Sequence, residues 1–489
     1  MTTLQVAARR LHSPRIWTLA ALALGAAGGA GVALGGPAPA LLLIVAAAAV
    51  FATVRLPGVV LAAYMLIPVY KGFVQPYSPI DITALLAALN VAQAVPIVIG
   101  RRLQVTRASI ALWVAVAALV LFGVLYAPSP ALAMNRAANF WGLVFVPLLP
   151  ACVRVASDSK AVRQLLWSLL AVGGLTTLVG LAGLGSAMRL SVLAADTIDT
   201  ARITLLVPIV GILFAWREPS RLLRGAAVVL TPAAVLVAVG SGSRGPLLML
   251  VVLVSMGVAR TMLRPRLGDW QLITLGAVAA VVSALLVSVA VPDLPAESTQ
   301  RIGDLGQAFA SGIAVSAGAI DPSRIRLYGL ALSLFAGQPL FGTGTAGFEA
   351  LSGRYLGSQL ADAYPHNALL QFGAEYGLVG VTLFSAAVLY ALLRKQERGN
   401  EWNAFKWLAV YFFLNAMVSG NILTERTLWA LLLLLLVSPG LLSMHPRSAG
   451  SDPIFDGEPG GSARSPEASL ASVTGDAPPG GFAHEQSRN

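Results

Sequence analysis

Long apolar runs separated by short polar connections dominate this chain. A helix of roughly 20 apolar residues crosses the hydrocarbon core of a bilayer, and a helix satisfies its own backbone polar groups there. The predicted spans are 16–34, 39–54, 57–70, 83–100, 109–126, 139–152, 164–184, 203–216, 225–240, 246–260, 271–291, 371–393, 407–423 and 428–444. We therefore predict an all-α polytopic membrane protein with about 12 to 14 transmembrane helices, the lower number applying if short spans merge or re-enter.

Composition agrees with this pattern. Of 489 residues, 57% are hydrophobic and 11% are charged, whereas soluble domains carry about 25% charged residues. So few charges cannot cover a water-exposed surface of this size. The single cysteine, Cys152, excludes an internal disulfide and a multi-cysteine metal site.

The 33 lysines and arginines are divided unevenly between alternate connections. Ten lie in one set: Lys71, Arg136, Arg189, Arg202, Arg244, Arg301, Arg324, Arg326, Arg354 and Arg426. The other 23 lie in the second set, which the positive-inside rule places in the cytoplasm. Both termini are then cytoplasmic, and the net charge of +11 reflects membrane topology. We expect no nucleic-acid partner.

Two segments differ from the rest. Residues 292–370 form a long polar connection on the outer face, with predicted helical stretches at Ser298–Ala317 and Arg324–Phe335; loops of this length are usually functional. Residues 446–489 have the composition of a disordered tail. The predicted divisions are 1–199 (N-terminal helices), 200–291 (helices with an arginine turn), 292–370 (outer loop), 371–445 (C-terminal helices) and 446–489 (tail).

The segment Ser241–Pro246 is the first candidate site. Its glycines permit a tight turn, and Pro246 suits the first turn of a helix. Arg244 would lie at a helix start, where the guanidinium and free backbone N–H groups favour phosphate oxygens. The alternative is a turn whose arginine reaches lipid headgroups. Arg202, at the predicted outer start of the span 203–216, is either an interfacial anchor or a partner of Arg244 in binding a diphosphate.

The outer loop contains further polar groups. Asp321 or Ser323 could cap a helix that carries Arg324 and Arg326. Pro339–Phe348 is a glycine-rich turn that includes Gly344, and no strand precedes it, so a dinucleotide fold is not supported.

His366 is the histidine on the outer face near membrane depth, where an imidazole suits general-base work. Asn367 follows as an N-cap or a partner for sugar hydroxyls. Glu375, inside a span, would need an inward partner such as arginine or histidine. Asp196 and Asp199 have no obvious partner, and no metal-binding or nucleotide motif stands out, so we expect neither a metal nor another cofactor.

Together these residues resemble the O-antigen ligase and O-antigen polymerase superfamily of bacterial membrane glycosyltransferases. The resemblance rests on Ser241–Pro246, Asp321–Arg326, Pro339–Phe348, Tyr364–Asn367 and Glu375–Gly380, and covers about 200–430. It implies a GT-C-like, metal-independent, inverting enzyme that takes a glycan from undecaprenyl diphosphate at the outer face of the inner membrane.

By the same resemblance, the diphosphate arginines fall on Arg202 and Arg244, and the base that activates the acceptor falls on His366. The remaining predicted substrate-binding residues are Ser243, Arg324, Arg326, Gly344, Asn367 and Glu375. The acceptor is lipid A-core for a ligase and another glycan for a polymerase, and the residues leave this choice open.

Two other functions compete with this one. A transporter or flippase of lipid-linked glycans shares the polytopic plan, but the unusual residues here concentrate on one face and no repeat is visible. A peptidoglycan polymerase of the shape, elongation and division type would use an acidic residue in the large loop, for which Asp321 is the candidate; the Pro365–Asn367 element argues against it.

Overall fold

The computed structural model describes residues 51–78, 80–95, 97, 106–184, 190–193, 195–214, 221–263, 322–357, 363–394 and 400–438. All of them lie within one compact unit, Met1–Ser443. The predicted spans 16–34 and 271–291, the predicted helix Ser298–Ala317, Asp321 and the predicted tail lie outside the described residues.

The described chain is helical and contains no strand in these ranges, which confirms the all-α prediction. The α-helices are α1 Pro57–Met65, α2 Ile67–Val74, α3 Ile82–Ala92, α4 Arg107–Phe122, α5 Pro130–Phe140, α6 Val146–Ala156, α7 Ser159–Ala182, α8 Thr197–Thr204, α9 Leu206–Leu213, α10 Arg221–Gly240, α11 Arg244–Leu263, α12 Pro322–Gly337, α13 Gly347–Leu356, α14 Ala368–Leu393, α15 Asn400–Ala416 and α16 Arg426–Val437.

Four stretches in the described part are long and apolar enough to cross a membrane: Arg107–Tyr126, Pro130–Ala156, Ser159–Ala182 and Ala368–Leu393. The pair Pro57–Met65 and Ile67–Tyr77 would be a fifth, but it is bent by 80°. These helices confirm a polytopic membrane protein. The total of 12 to 14 spans remains a prediction.

The bend corrects the prediction of one continuous span at 57–70. Pro68 lies near the start of α2 and has no N–H to donate to Tyr64; its ring also crowds the carbonyl of that residue. The span therefore breaks at Leu66, between the two helices.

The predicted span 203–216 also begins elsewhere. The chain is already helical from Thr197, and the helix breaks at Leu205 before α9. Pro208 explains the break, because it cannot donate to Thr204. Arg202 consequently lies in the last turn of α8 rather than at the start of a span.

Helix α16 lies at the centre of the bundle. Each residue from Thr427 to Val437 is buried, as expected for a helix that is apolar on all sides. Trp429 on this helix packs against Trp113, Phe140 and Phe384, with ring centroids 5.6 to 5.7 Å apart. Large aromatic surfaces of this kind dominate the packing energy of a core, so they fix α16 and the turn that precedes it.

The contacts between helix ends agree with the predicted sidedness. Gln164 donates to the carbonyl of Arg55 at 3.1 Å, and the Arg394 guanidinium donates to Ser109 at 3.1 Å. Both contacts join connections that the charge pattern assigns to the cytoplasmic face. At the opposite ends, Tyr126 donates to the Phe341 carbonyl at 2.7 Å. Each of these contacts joins segments that the charge pattern assigns to the same face, and the sidedness of the whole chain stays a prediction.

Candidate functional site

A turn at Met417–Asn421, called here the carbonyl turn, collects three of the predicted site residues. Asn367 Nδ2 donates to the Met417 carbonyl at 3.0 Å, Arg324 Nη1 to Val418 at 3.0 Å and Arg202 Nη2 to Ser419 at 3.1 Å. These donors come from α8, α12 and the residue before α14. Residues that lie far apart in sequence therefore meet at one place.

The carbonyl turn corrects the predicted span 407–423. Helix α15 ends at Ala416, and a short 3₁₀ helix, Ile422–Thr424, follows the turn. Gly420 adopts a φ of +91°, which a residue with a side chain rarely tolerates. The chain leaves the helix here and exposes carbonyl groups that would otherwise be bonded within it.

Arg202 is buried and ion-paired. Its side chain is 5% exposed, and its Nη1 lies 2.9 Å from Glu425 Oε1 and 3.5 Å from Asp199 Oδ1. Asp196 caps α8 by accepting from the Asp199 N–H at 2.6 Å. Asp196 and Asp199, for which the sequence offered no obvious partner, thus have partners in and beside α8. Arg202 can contact an anion only through the part of its guanidinium that these carboxylates leave accessible.

A small pocket of about 40 Å³, called here the arginine pocket, lies beside this ion pair. It is lined by Asp199, Arg202, Glu425 and Arg426, with Met65 and Phe412 among its apolar walls. Two arginines and two acids in one small pocket form a strongly polar site between apolar helices. Arg202 is buried and the other three charged residues are half-buried; charged groups at membrane depth are costly and by default indicate function.

Sequence reasoning missed Arg426 as a site residue. It is the first residue of α16, and its guanidinium lies 5.6 Å from the centre of the Tyr64 ring, within the range of a cation–π contact. The signal was available, since Arg426 is an outer arginine at a helix start like Arg244. Glu425 was missed because its role depends on a partner that is distant in sequence.

The acids of this pocket differ from ordinary surface carboxylates. Burial, followed by the nearby Asp196 carboxylate, raises the pKa of Asp199 to about 7, against the opposing effect of Arg202. Asp199 precedes the apolar part of its region, so it lies at the predicted outer membrane boundary. Its charge changes in the neutral pH range, and the net charge around Arg202 changes with it.

The predicted Arg244 turn, Ser241–Pro246, packs against the carbonyl turn. Gly242 has a φ of +67°, and Arg244 is the first residue of α11, as predicted. A side chain at Gly245 would lie 3.3 Å from Val418 of the carbonyl turn. Helix α11 also contacts α8, which carries Arg202. The structure thus brings the elements of Arg202 and Arg244 together.

Ser243 adds a polar group to this turn. It is 5% exposed, and its hydroxyl has no hydrogen-bond partner among the described residues. Buried hydroxyls usually have a partner. The Ser243 hydroxyl next to Arg244 is therefore an exception to this rule among the described residues.

His366 has a strained backbone. Its φ is +56°, in the left-handed region, and its ring lies 4.3 Å from that of Tyr364. Such conformations cost about 1–3 kcal/mol and concentrate at functional sites. Burial, followed by the Glu425 carboxylate, raises the pKa of the Tyr364 hydroxyl. The tyrosine that contacts His366 is thus close to the arginine pocket.

Asn367 has two roles in the structure. Its side-chain oxygen caps α14 by accepting from the Leu370 N–H at 3.0 Å, as predicted, while its amide nitrogen contacts the carbonyl turn. Gln371, one turn later, donates to Asn421 Oδ1 at 3.0 Å and accepts from the Ile422 N–H at 3.2 Å. The start of α14 is therefore attached to the carbonyl turn by two side chains, which fixes the position of His366.

Glu375 lies deeper on α14 and is 2% exposed. Its carboxylate lies 3.5 Å from Gln371 Nε2, so its partner is an amide and not the arginine or histidine that was predicted. The nearby Arg136 is occupied by Glu349, with Nε 2.9 Å from Oε2. This second buried charge cluster was also missed, since neither residue stands out in sequence.

The glycine-rich turn packs against a break in α14. Gly377 has φ +62° and ψ −154°, and the freed N–H of Leu378 donates to the Pro339 carbonyl at 2.7 Å. Gly344 donates to the Glu375 carbonyl at 2.8 Å, and a side chain there would lie 2.5 Å from the Gly123 carbonyl oxygen. Gly344 thus allows close backbone packing, and its N–H is already bonded.

The remaining predicted residues are on α12, which begins at Pro322 and confirms the predicted helix at Arg324–Phe335. Ser323 lies inside this helix and not at its cap. Arg326 is exposed, whereas Arg324 is half-buried against the carbonyl turn. Residues two apart on a helix do not share a face, so Arg326 is directed away from that contact.

No group of three or more histidine, cysteine, aspartate or glutamate side chains is placed to hold a metal ion in the part of the chain that the structure describes. The charges at the arginine pocket are instead provided by arginines and acids.

Arginines, acids and the segment that carries the strained His366 are thus joined at the carbonyl turn of a polytopic helical membrane protein. The family model described as O-antigen ligase matches residues 226–385, which is about a third of the chain. The match includes Arg244, Arg324, His366 and Glu375, and lies outside Arg202 and the carbonyl turn. No curated protein matches the chain.

The description of the matched model indicates a general activity. The family implies an enzyme of the glycosyltransferase or ligase type, acting on a lipid-linked glycan donor and a glycan acceptor.

Proposed function

We propose that the protein transfers a glycan from undecaprenyl diphosphate to an acceptor hydroxyl at the outer face of the bacterial inner membrane. The acceptor is lipid A-core or another glycan. The observation that carries the proposal is the convergence of Arg202, Arg324 and Asn367 on the carbonyl turn, beside the Arg244 turn. This places cations, hydrogen-bond donors and the loop that carries His366 in one region.

The donor's diphosphate would bind at the arginines. Arg244 provides a guanidinium at the start of α11, where backbone N–H groups also favour anions. The Ser243 hydroxyl is a further donor, and Arg202 and Arg426 line the adjacent arginine pocket. These groups stabilise the charge that develops on the leaving diphosphate, which is the main requirement of the reaction.

The acceptor would be activated by His366. Its imidazole removes the proton from the acceptor hydroxyl as the hydroxyl oxygen attacks the anomeric carbon. The bond between that carbon and the diphosphate oxygen breaks, and undecaprenyl diphosphate leaves with the electron pair. Attack from the face opposite the leaving group inverts the anomeric configuration. Such general-base catalysis contributes about 10²–10⁴-fold.

This scheme uses arginines for charge neutralisation and assigns no step to a metal. A diphosphate is already a good leaving group, and guanidinium groups bind its oxygens in pairs. Arg324 and Arg326 on α12 would contact the donor glycan or its phosphate, with Arg324 held at the carbonyl turn. Glu375 would influence the site indirectly. It contacts Gln371, and Gln371 donates to Asn421 of the carbonyl turn.

The test compares Arg244→Ala and His366→Ala with a matched control, Arg354→Ala, in a deletion strain. Arg354 is an exposed arginine on α13 and lies away from the carbonyl turn contacts. Both site variants should reach the membrane at normal levels and abolish surface polysaccharide, while the control should restore it. Normal polysaccharide in both site variants would overturn the proposal.

The lipid-linked intermediates distinguish the two acceptors. Accumulation of long lipid-linked polymer in the deletion strain indicates a ligase, and accumulation of single repeat units indicates a polymerase. Protease mapping of the 292–370 segment to the cytoplasm would contradict both and favour a transporter.

A further inference from the structure

An open groove of about 480 Å³ lies at the other end of the bundle, where α1 and α7 cross. Lys160, Arg163, Gln164 and Ser168 form its polar part, and Val59 and Trp167 belong to its apolar part. None of these residues belongs to the carbonyl turn or to the arginine pocket. The groove is therefore separate from the site proposed for glycan transfer.

The groove changes from charged to apolar along α7. Lys160 and Arg163 lie one turn apart near the start of the helix, and both are exposed. Gln164, the half-buried Trp167 and Ser168 follow, and then the exposed Ala171. A phospholipid has the same order of chemistry, from anionic phosphate through ester groups to acyl chain.

The shape of the groove results from a very close helix crossing. A side chain at Gly58 on α1 would lie 2.2 Å from the Ala161 carbonyl oxygen and 2.6 Å from the Leu165 nitrogen. Only glycine permits backbones to approach this closely. The contact fixes α1 against α7, so the groove beside it is a permanent part of the fold.

Trp167 is held at the floor of the groove. Its ring contacts Phe214 edge to face, with centroids 5.1 Å apart. The Arg163 guanidinium lies 6.0 Å from the centre of the same Phe214 ring. Tryptophan at a membrane boundary places its apolar ring at the level of the lipid headgroups.

The positive charge of the groove indicates which kind of ligand it binds. The groove lies where two predicted cytoplasmic connections meet, since Gln164 donates to the Arg55 carbonyl at 3.1 Å. The cytoplasmic leaflet contains anionic lipids, and basic pockets between helices on this side bind their headgroups. No described acid pairs with the Lys160 ammonium.

We propose that this groove binds an anionic phospholipid of the cytoplasmic leaflet. The phosphate is held by Lys160 and Arg163, and the acyl chain lies against Trp167 and Val59. The site is independent of the glycan-transfer proposal, because it needs neither the arginines of the outer face nor catalytic activity.

Trp167 makes the proposal measurable. The purified full-length protein is placed in bilayers that contain either brominated phosphatidylglycerol or brominated phosphatidylcholine, whose bromines quench nearby tryptophan. The contribution of Trp167 is the difference between wild type and Trp167→Phe, which keeps an aromatic ring against Phe214. We expect the phosphatidylglycerol to quench this contribution at a several-fold lower mole fraction.

Lys160→Glu should reduce that preference by about fivefold or more, since one cation near an anionic surface is worth about that factor. Arg107→Glu is the matched control, because it makes the same charge change at an exposed cytoplasmic-side residue on α4. Equal quenching by the two lipids in wild type would overturn the proposal. So would an equal loss in the Arg107 variant, which would indicate general surface charge. Elution profiles and thermal unfolding identify any variant that does not fold.

Discussion

Arg202 Nη1 and Glu425 Oε1 lie 2.9 Å apart, although 223 positions separate them in sequence. Because Arg202 is 5% exposed, its charge depends on this carboxylate for compensation. The pair also attaches α8 to the start of α16. An anionic donor that approaches Arg202 meets a guanidinium that is already oriented.

We expect Glu425→Ala to lower stability strongly. Removing one partner of a buried pair leaves the other charge uncompensated and costs about 3–5 kcal/mol. Lys71→Met is the control, because the Lys71–Asp81 pair is 37% and 51% exposed, and exposed pairs contribute under about 1 kcal/mol. Thermal unfolding in the same detergent measures both. Similar losses in the two variants would contradict a structural role for the buried pair.

The raised pKa of Asp199 predicts that stability and donor binding depend on pH. Its folded pKa of about 7 lies above the ordinary value of 3.8. The folded state therefore favours the protonated carboxyl, and this stabilisation is complete below the ordinary pKa and is lost as the pH rises through about 7. Above that pH an ionised Asp199 also competes with the donor for Arg202.

The Michaelis constant for the lipid-linked donor should consequently rise between about pH 6 and 8 in wild type. In Asp199→Asn it should stay nearly constant, because the amide cannot ionise. The measurement is a pH series with purified protein, with a buffer-only correction for donor dispersion. A parallel rise in the variant would assign the dependence to another group.

Two substitutions of His366 distinguish the effect of backbone strain from the loss of the proposed catalytic base. Asparagine tolerates a φ of +56° better than most residues, so His366→Asn should fold like wild type and lose activity by about 10²–10⁴-fold. His366→Val should lose activity and also unfold at a lower temperature, because branched side chains are disfavoured in this region. Transfer assays and thermal unfolding distinguish the two effects. Substantial activity in the asparagine variant would exclude His366 as the base.

Two glycines with similar φ angles provide another comparison. Gly344 (φ +87°) and Gly357 (φ +92°) are both left-handed, but an added Cβ meets the Gly123 carbonyl oxygen at 2.5 Å in the first and nothing within 4 Å in the second. Gly357→Ala should show the cost of strain alone, about 1–3 kcal/mol. Gly344→Ala should unfold at a lower temperature than Gly357→Ala, because its Cβ also meets the Gly123 carbonyl oxygen. Equal unfolding temperatures for the two variants would mean that this contact adds no destabilisation.

The sequence was most informative where local chemistry decides the structure. Arg244 was correctly predicted at a helix start because Pro246 and the surrounding glycines determine that turn. His366 was selected because it is the histidine of the outer connections. The carbonyl turn was not predicted, since it lies within the apolar span 407–423 and its interruption, Ser419–Asn421 around the left-handed Gly420, is short.

Ion pairs between residues far apart in sequence were the other feature that could not be predicted. Nothing near Arg202 in sequence indicates Glu425, and nothing near Glu349 indicates Arg136. Such contacts depend on which helices become neighbours, which a single sequence does not reveal. The break at Leu205 could have been anticipated from Pro208, because a proline removes the hydrogen bond to the residue four positions earlier.

The distance along the chain between Arg202 and Glu425 also has a consequence for biosynthesis. A ribosome adds about 5–20 residues per second, so the 223 positions between them take roughly 10–45 s to synthesise. Until α16 has been inserted, the guanidinium of Arg202 lacks the carboxylate that compensates it, and the carbonyl turn is not attached to α8. The outer site therefore forms as one of the last events of membrane insertion, and a chain truncated before α16 would contain most of the helices but no complete site.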